Sequence, residues 1–527
     1  MKSASPLPGV EITVDGSPLN RSQLASLASV RVARVLSLPA QCEVAFAADG
    51  LLGVAASDLA QRAAIGGRLE VQVEGEPRPL FTGDITAHER DHAPDGSAEL
   101  RVRAYDELHR LRKRQRVMVR DGVTLGQVAS ELAGDAGVSC EVDHVASRWP
   151  VLVQHAGSDL DLVTTIASDA GVYLVVDEGV LRSTDLGGFG PSVELELRRQ
   201  LLSARFETTA DPACRTVSAT GWDPVTAMAL DGRATTDRTA RGATALAEPS
   251  AVGADGARFI AGRHGPTGDH LEAIAQGELD RRIARETTLV GVASGDAELV
   301  PGRRVRVTGV DQPAAGDYVL TRTTHTIDGA GYLVELSTSP PDQSERARGS
   351  EVTMGVVESA DDPESRGRVR VTLPAYGGIE LDWRPVMSPG AGPGKGLVAL
   401  PDRGDRVLLL MPGGDPAAAV VVGGLHGGDG PADTGVVDGS VRRWSFATPG
   451  GQRVILDDER SQLVLANSDG SSVVLAPDQV TLHASTDMVI EAPGHTITLR
   501  ADRVDLRRAR SAGGGPDLPP PHPGGGR

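Results

Sequence analysis

Three cysteines, Cys42, Cys140 and Cys214, are too few and too scattered for a disulfide framework. None stands in a Cys-x-x-Cys spacing, so no zinc site is signalled either, and buried free thiols are the expectation. No apolar run approaches the ~20 residues that span a bilayer as a helix. The opening MKSASPLPGVEITVDG has a single Lys with no apolar stretch behind it, so no secretory signal is read and synthesis in the cytoplasm is expected. Positive charge is also short. The formal net charge is −18, and lysine occurs only at Lys2, Lys113 and Lys395, the other basic residues being Arg. A phosphate backbone is bound by releasing counterions to a basic surface, so this composition argues against a nucleic-acid partner. Aromatics make up 3% of the chain, against 64 Gly and 34 Pro, a balance that suits short strands and many turns.

With 40% apolar and 24% charged residues, the chain has the composition of a globular protein able to bury a core without cross-links. A length of 527 residues predicts roughly three or four domains. Strand-like segments at 11–14, 42–46, 68–73 and 100–103, separated by Asp-Gly and Gly-Gly turns, mark a first β domain. Residues 124–133 and 158–170 carry apolar residues at helical spacing, with Ser158 and Asp159 as caps and Gly171 as a stop. Segments 172–176 and 180–182 flank Asp177-Glu178-Gly179 as a hairpin. A second β domain follows, with strands at 216–220, 289–293, 304–308, 318–325 and 332–336. It is interrupted by a helix at 269–285 whose stripe is Leu271, Ile274, Ala275, Leu279 and Ile283.

The polar stretch 339–350 reads as a linker. A small barrel is expected next from strands at 352–357, 368–373, 382–385, 397–400 and 406–410, closed by 418–423. Beyond it, apolar pairs recur at Val454/Leu456, Leu463/Leu465, Val473/Leu475, Val480/Leu482, Met488/Ile490, Ile497/Leu499 and Val504/Leu506. Their spacing of roughly eight residues is that of short strands repeated. A lone meander this narrow leaves its backbone edges and inward side chains in water, so intertwining with further copies of the chain is expected. Polar residues such as Asp457, Asp458, Ser471 and Asp502 would face solvent.

Four local patterns, in order, resemble one family. Ala104-Tyr105-Asp106-Glu107-Leu108-His109-Arg110-Leu111 is similar to the segment that follows the first barrel in VgrG and phage-tail hub proteins. Gln154-His155-x-x-Ser158-Asp159-x-Asp161-Leu162 is similar to the helix start that comes next in them. Glu298-Leu-Val-Pro-Gly-Arg-Arg-Val305, with Gly316-Asp-Tyr-Val319 and Thr324-His325, resembles the close of their second barrel. Pro401-Asp-Arg-Gly-Asp-Arg-Val407 resembles the turn of the baseplate spike OB-fold.

The resemblance implies a mainly β fold with some α: two tandem tube-like β-barrels with a small α/β insertion, an OB-fold and a C-terminal trimeric β-helix needle. The expected boundaries are 1–103 and 196–338 for the barrels, 104–195 for the insertion, 339–351 for the linker and 352–427 for the OB-fold. A loop at 428–440, a needle at 441–510 and a flexible Pro/Gly tail at 511–527 complete the chain. The needle core would be Val454, Leu456, Leu463, Leu465, Val473, Leu475, Val480, Leu482, Ile497, Leu499, Val504 and Leu506.

The implied function is that of the central spike of a contractile injection system. It would be a homotrimer whose N-terminal ring meets the inner tube or tube-initiator protein and the baseplate proteins. A PAAR-like tip protein would dock near Arg507, Arg508 and Arg510, and the target membrane would be met only on firing. No enzyme, cofactor or catalytic residue is implied, because the loop 427–441 and the tail are too short for an added domain. The compact needle favours an extracellular or phage-like particle, with a type VI secretion VgrG or a contractile-phage spike as alternatives. The particle would assemble in the bacterial cytoplasm, to stay there or be released.

Other motifs are weighed against this reading. His88-Glu89-Arg90-Asp91-His92 has the spelling of a zinc hydrolase, which works when a helix aligns both imidazoles. Here it lies between a strand-like segment and the turn Ala93-Pro94-Asp95-Gly96, so a hairpin arm is expected and no metal. Gly390-Ala-Gly-Pro-Gly-Lys395-Gly396 has the wrong spacing for a phosphate cradle, no Ser or Thr after Lys395 and a strand-like run behind it, so it reads as a loop. Arg110–Arg116 is the dense basic run, expected to dock an acidic neighbour or pack within the trimer rather than bind nucleic acid. Tyr376 and Trp383 are too few to stack a bound strand on the OB-fold. Trp222 reads as core, and no serine sits in a Gly-x-Ser-x-Gly elbow.

Overall fold

Alternation of apolar and polar residues makes strands of 45% of the described residues, with 15% in helix. The computed structural model describes residues 9–507 apart from 49–57, 143–146, 224–227, 242–247, 264–266, 313, 343–348, 428–429 and 432. Arg508, Arg510, the tail 511–527, residues 343–348 of the expected linker and the side chain of Trp222 lie outside the described residues. The chain divides into two units, Met1–Leu425 and His426–Arg527.

In the first unit, strands from both expected barrels run through one eleven-stranded sheet. Neighbour by neighbour it contains Leu201–Thr208, Thr287–Ser294, Gly331–Ser337, Arg322–Asp328, Leu27–Val35, Gln41–Ala47, Ala98–Tyr105, Phe81–His92, Arg68–Val73, Val10–Val14 and Ser17–Pro18. The halves join where Leu27–Val35 pairs antiparallel with Arg322–Asp328, setting Val32 opposite His325 and Val30 opposite Ile327. Side chains two apart share a face, so each half still encloses its own core. One gathers Val30, Val44, Phe46, Leu69, Val71, Phe81 and Leu100. The other gathers Leu195, Leu289, Leu299, Val305, Tyr318 and Leu336, partly against a smaller sheet of Phe189–Glu196, Arg303–Thr308 and Gly316–Val319.

The inserted region has the expected helices. Leu125–Asp135 starts at a capping box of Thr124 and Gln127, and Asp159–Asp169 at one of Ser158 and Asp161; each box satisfies orphan N–H groups of a first turn. Their buried faces meet Leu108, Leu111, Val172, Leu174 and Leu181. The stripe Leu271, Ile274, Ala275, Leu279 and Ile283 of helix Gly268–Glu286 is buried against Val217 and Ala219 of a separate three-stranded sheet, as its period predicts.

The OB-fold is a five-stranded sheet ordered Ile379–Pro385, Arg368–Leu373, Glu351–Ser359, Arg406–Met411 and Val420–Leu425. The strand expected at 397–400 does not form: Val398 is 81% exposed. Gly390, Gly394 and Gly396 turn the chain at positive φ before it, and among the described residues no neighbouring strand offers this Leu-Val-Ala-Leu run a partner. An apolar run without a pairing edge stays irregular.

The second unit is an antiparallel meander of Arg443–Ala447, Arg453–Asp457, Gln462–Ala466, Ser472–Leu475 and Val480–His483, preceded by a hairpin of Val436–Val437 and Ser440–Val441. From 484 to 507 no strand forms, so the pairs Met488/Ile490, Ile497/Leu499 and Val504/Leu506 have no strand partner among the described residues.

Candidate functional site

The first two family-like segments meet. The buried Asp106 accepts hydrogen bonds from the backbone N–H of Ala40 (3.0 Å) and of Leu108 (3.2 Å), which sets the turn leaving strand Ala98–Tyr105. Burial pushes its carboxyl up to about 7, against the pull of these N–H groups and of Arg34. His109 and Arg110 both reach Asp84, Arg110 in a fork at 2.7 and 2.9 Å. Burial alone would raise the Asp84 carboxyl, but the contacts with Arg110 and His109 hold it below its usual value.

Arg116 spans Asp135 (2.7 Å) and the fully buried Asp159 (2.9 Å), while the Asp159 N–H donates to the carbonyl of Arg114. Arg112 lies over the ring of Tyr105 at 4.9 Å. Within the chain the basic run is engaged by acids and a ring of its own. The acids that neutralise it lie 19 or more residues away, beyond the reach of local pattern reading.

In the third segment, His325 is fully buried between the hydroxyl of Tyr332 (3.0 Å) and the carbonyl of Leu299 (2.9 Å). Desolvation lowers its pKa to about 3, with the charge of Arg34 adding to the effect. Arg303 pairs with Glu298, and Arg78 joins Asp177 (2.7 Å) to the carbonyl of Ala297. In the fourth, Asp402 and Asp405 tie the turn through backbone N–H groups, with Gly404 at φ +90° donating to Val357.

His88, Glu89 and His92 lie on strand Phe81–His92, so four residues of strand, roughly 13 Å, separate the two imidazoles. His88 is hydrogen-bonded to the carbonyl of Ala63. Among the described residues no group of His, Cys, Asp and Glu could hold a metal ion. Lys395 sits in a tight turn facing Gly392, not at a helix start.

The second unit presents one continuous apolar face. The register sets Trp444 opposite Leu456, Phe446 opposite Val454, Leu456 opposite Leu463, Leu465 opposite Val473 and Leu475 opposite Val480. The sequence-derived residues from Val454 to Leu482 thus share one side of the sheet. Within a single chain this side is open: Trp444 is 69% and Leu482 62% exposed. Trp444 and Phe446 extend it by one strand that the spaced-pair pattern missed, although their own two-residue spacing signals it. Ile455, Val464 and Val474, of opposite parity, are buried on the other side. Asp457 also belongs there: it is buried, with Arg443 4.0 Å away, and does not face solvent as expected. Its parity places it on the side of Ile455, under the Arg443 side chain. Ile497, Leu499, Val504 and Leu506 are exposed, and Arg507 is paired with Asp505 at 2.6 Å.

A model of the phage tail baseplate hub (GPD) family matches residues 34–331, and one of the type VI secretion system/phage-baseplate injector OB domain matches 353–426. Among solved structures, the chain is similar to the Escherichia coli c3393 protein, a type VI secretion component described as resembling the T4 bacteriophage tail proteins gp27 and gp5. Identity is 14% over 79% of this chain and 99% of that one, with a TM-score of 0.52. It is also similar to a chain of the lidded Francisella PdpA-VgrG complex, at 8% identity over 90% and 80% of the two chains and a TM-score of 0.53. No curated protein matches.

Proposed function

Because the chain belongs to the phage tail baseplate hub family and carries the injector OB domain, we propose that its structural spike role is exercised as a homotrimer. The trimer caps the inner tube at the baseplate and is driven through a target envelope when a sheath contracts. The observation that carries this reading is the apolar face running from Trp444 to Leu482, open on a single chain. A large exposed apolar patch on a soluble domain marks an interaction surface, and closing it on two further copies removes it from water. The single-chain meander would then contribute one wall of a three-chain β-helix needle, with the strandless 484–507 gaining partners from neighbouring chains.

No bond is broken in this mechanism. The needle concentrates force on a small area, and interchain hydrogen bonds with the Val/Leu interior resist it, so slow unfolding matters more than equilibrium stability. The N-terminal barrels bind tube or tube-initiator and baseplate proteins, and the chain near Arg507 seats a PAAR-like tip. Assembly takes place in the bacterial cytoplasm, within a phage tail-like particle of the extracellular or phage type.

Light scattering of the full chain, compared with a chain ending at Asp438, tests this. A trimer that weakens on truncation supports the spike. A full chain that stays monomeric overturns it, since the face would have no occupant.

A further inference from the structure

The ribbon formed by strands Met118–Val123 and Trp149–Gln154 has two buried sides, and they belong to different cores. Leu152 packs with Leu125, Val128, Leu160 and Val163 of the inserted helices. Val153, the next residue and so on the opposite side, is 7% exposed within the core of the OB barrel, among Val369, Leu381, Leu409 and Val421. Val119, which pairs with Val153, and Val151 are half-buried against the same barrel.

The helix side is fixed by polar contacts. Arg120 reaches Glu131 (3.0 Å) and Gln154 (3.3 Å), and Gln154 donates to Asp159 (2.8 Å). The ribbon ends are held as well. Trp149 lies edge-on to His270 of helix Gly268–Glu286 at 4.4 Å, and at the other end the ring of His155 is 5.5 Å from that of Tyr376 in the OB-fold. Val117 lies against Gly377, where an added Cβ would be 3.6 Å from it. By contrast, the ion pair described in the sequence connection, Arg285 to Asp342, is solvent-exposed, with Asp342 97% accessible. Such a pair contributes little and is screened by salt.

The geometry points to the ribbon as the joint that fastens the OB domain to the hub, with residues 339–351 serving as a tether. The barrel takes part of its core from a segment some 200 residues earlier in the chain, so the two domains are locked without reliance on the covalent link. The joint stands on the packing alone; its use in passing axial force from hub to needle rests on the spike reading.

The test places a protease site after Asp342 in the full chain and follows the cut protein by gel filtration with light scattering. The hub and OB fragments are expected to co-elute after cleavage. The double variant Val119→Ser, Val151→Ser, which trims the half-buried ribbon valines and leaves the barrel's own residues untouched, should weaken that association at least about tenfold. Val153→Asp should abolish it. Circular dichroism of the released OB fragment checks that the barrel remains folded. Wild-type fragments that part on cleavage, or Ser variants that hold as tightly as wild type with an intact barrel, overturn the joint. Masses from the same runs report the oligomer separately: paired but monomeric fragments would remove the spike reading and leave the joint standing.

Discussion

Arg116 donates to Asp159 at 2.9 Å, and this pair joins the segment leaving the first half of the hub to the N-terminus of the helix that carries the second family-like pattern. Asp159 also accepts from Gln154, so the basic run and both ends of the second pattern's Gln154-to-Asp159 stretch converge on one buried carboxylate.

Asp159→Ala should therefore destabilise the hub by about 3 kcal/mol, because it leaves a guanidinium and a buried amide without their acceptor. Arg116 keeps Asp135 and some solvent, which holds the cost at the low end. Asp159→Asn should recover part of it. The denaturant midpoint of the first unit, at constant slope, measures both.

Two buried groups near Arg34 give the pH profile opposing arms. Asp106, raised to about 7, favours its protonated form in the fold, so its contribution is present below pH ~4 and is lost as pH climbs toward 7. His325, lowered to about 3, favours its neutral form, so its contribution is present above pH ~6.5 and is lost as pH falls toward 3. The two slopes offset each other in the wild type. Asp106→Asn should leave stability rising with pH between about 4 and 6.5, and His325→Gln should leave it falling over the same window. Melting temperatures at intervals across that range separate the two arms, and parallel profiles for all three proteins would refute the assignment.

On the apolar face of the C-terminal unit, Leu465→Arg and Leu475→Glu replace side chains that are about two-fifths exposed in one chain. Each should cost the isolated meander little, within about 0.5 kcal/mol, yet abolish the trimer. Val464→Asp, at a position 1% exposed on the other side, should unfold the meander itself. Light scattering read beside circular dichroism distinguishes lost assembly from lost fold.

Gly→Ala should have opposite signs at two helical sites. At Gly134 nothing lies within 4 Å of an added Cβ, so helix propensity should stabilise by up to about 1 kcal/mol. At Gly277 the same methyl would meet the backbone of Gly171 at 2.6 Å, where neither chain can yield cheaply. Overpacking of about 1–3 kcal/mol outweighs the propensity gain there and loosens helix Gly268–Glu286 from the inserted region. Thermal unfolding of the two variants should shift in opposite directions.

The sequence alone determined the β character, the inserted helices with the cap at Ser158, the stripe of helix Gly268–Glu286 and the common side of Val454 to Leu482. Each of these depends on periods of two or 3.6 residues and on caps within four positions, and such information is local. The order of the four patterns was enough to point to the hub family. Tertiary structure decided the rest. It joined the two halves of the hub through Val32 and His325 in one sheet, and it neutralised the basic run with Asp84, Asp135 and Asp159. It withheld a partner from 397–400 and seated Val153 inside the OB barrel. These outcomes depend on which distant segments meet, and neither the parity of a strand nor the cap of a helix carries that information.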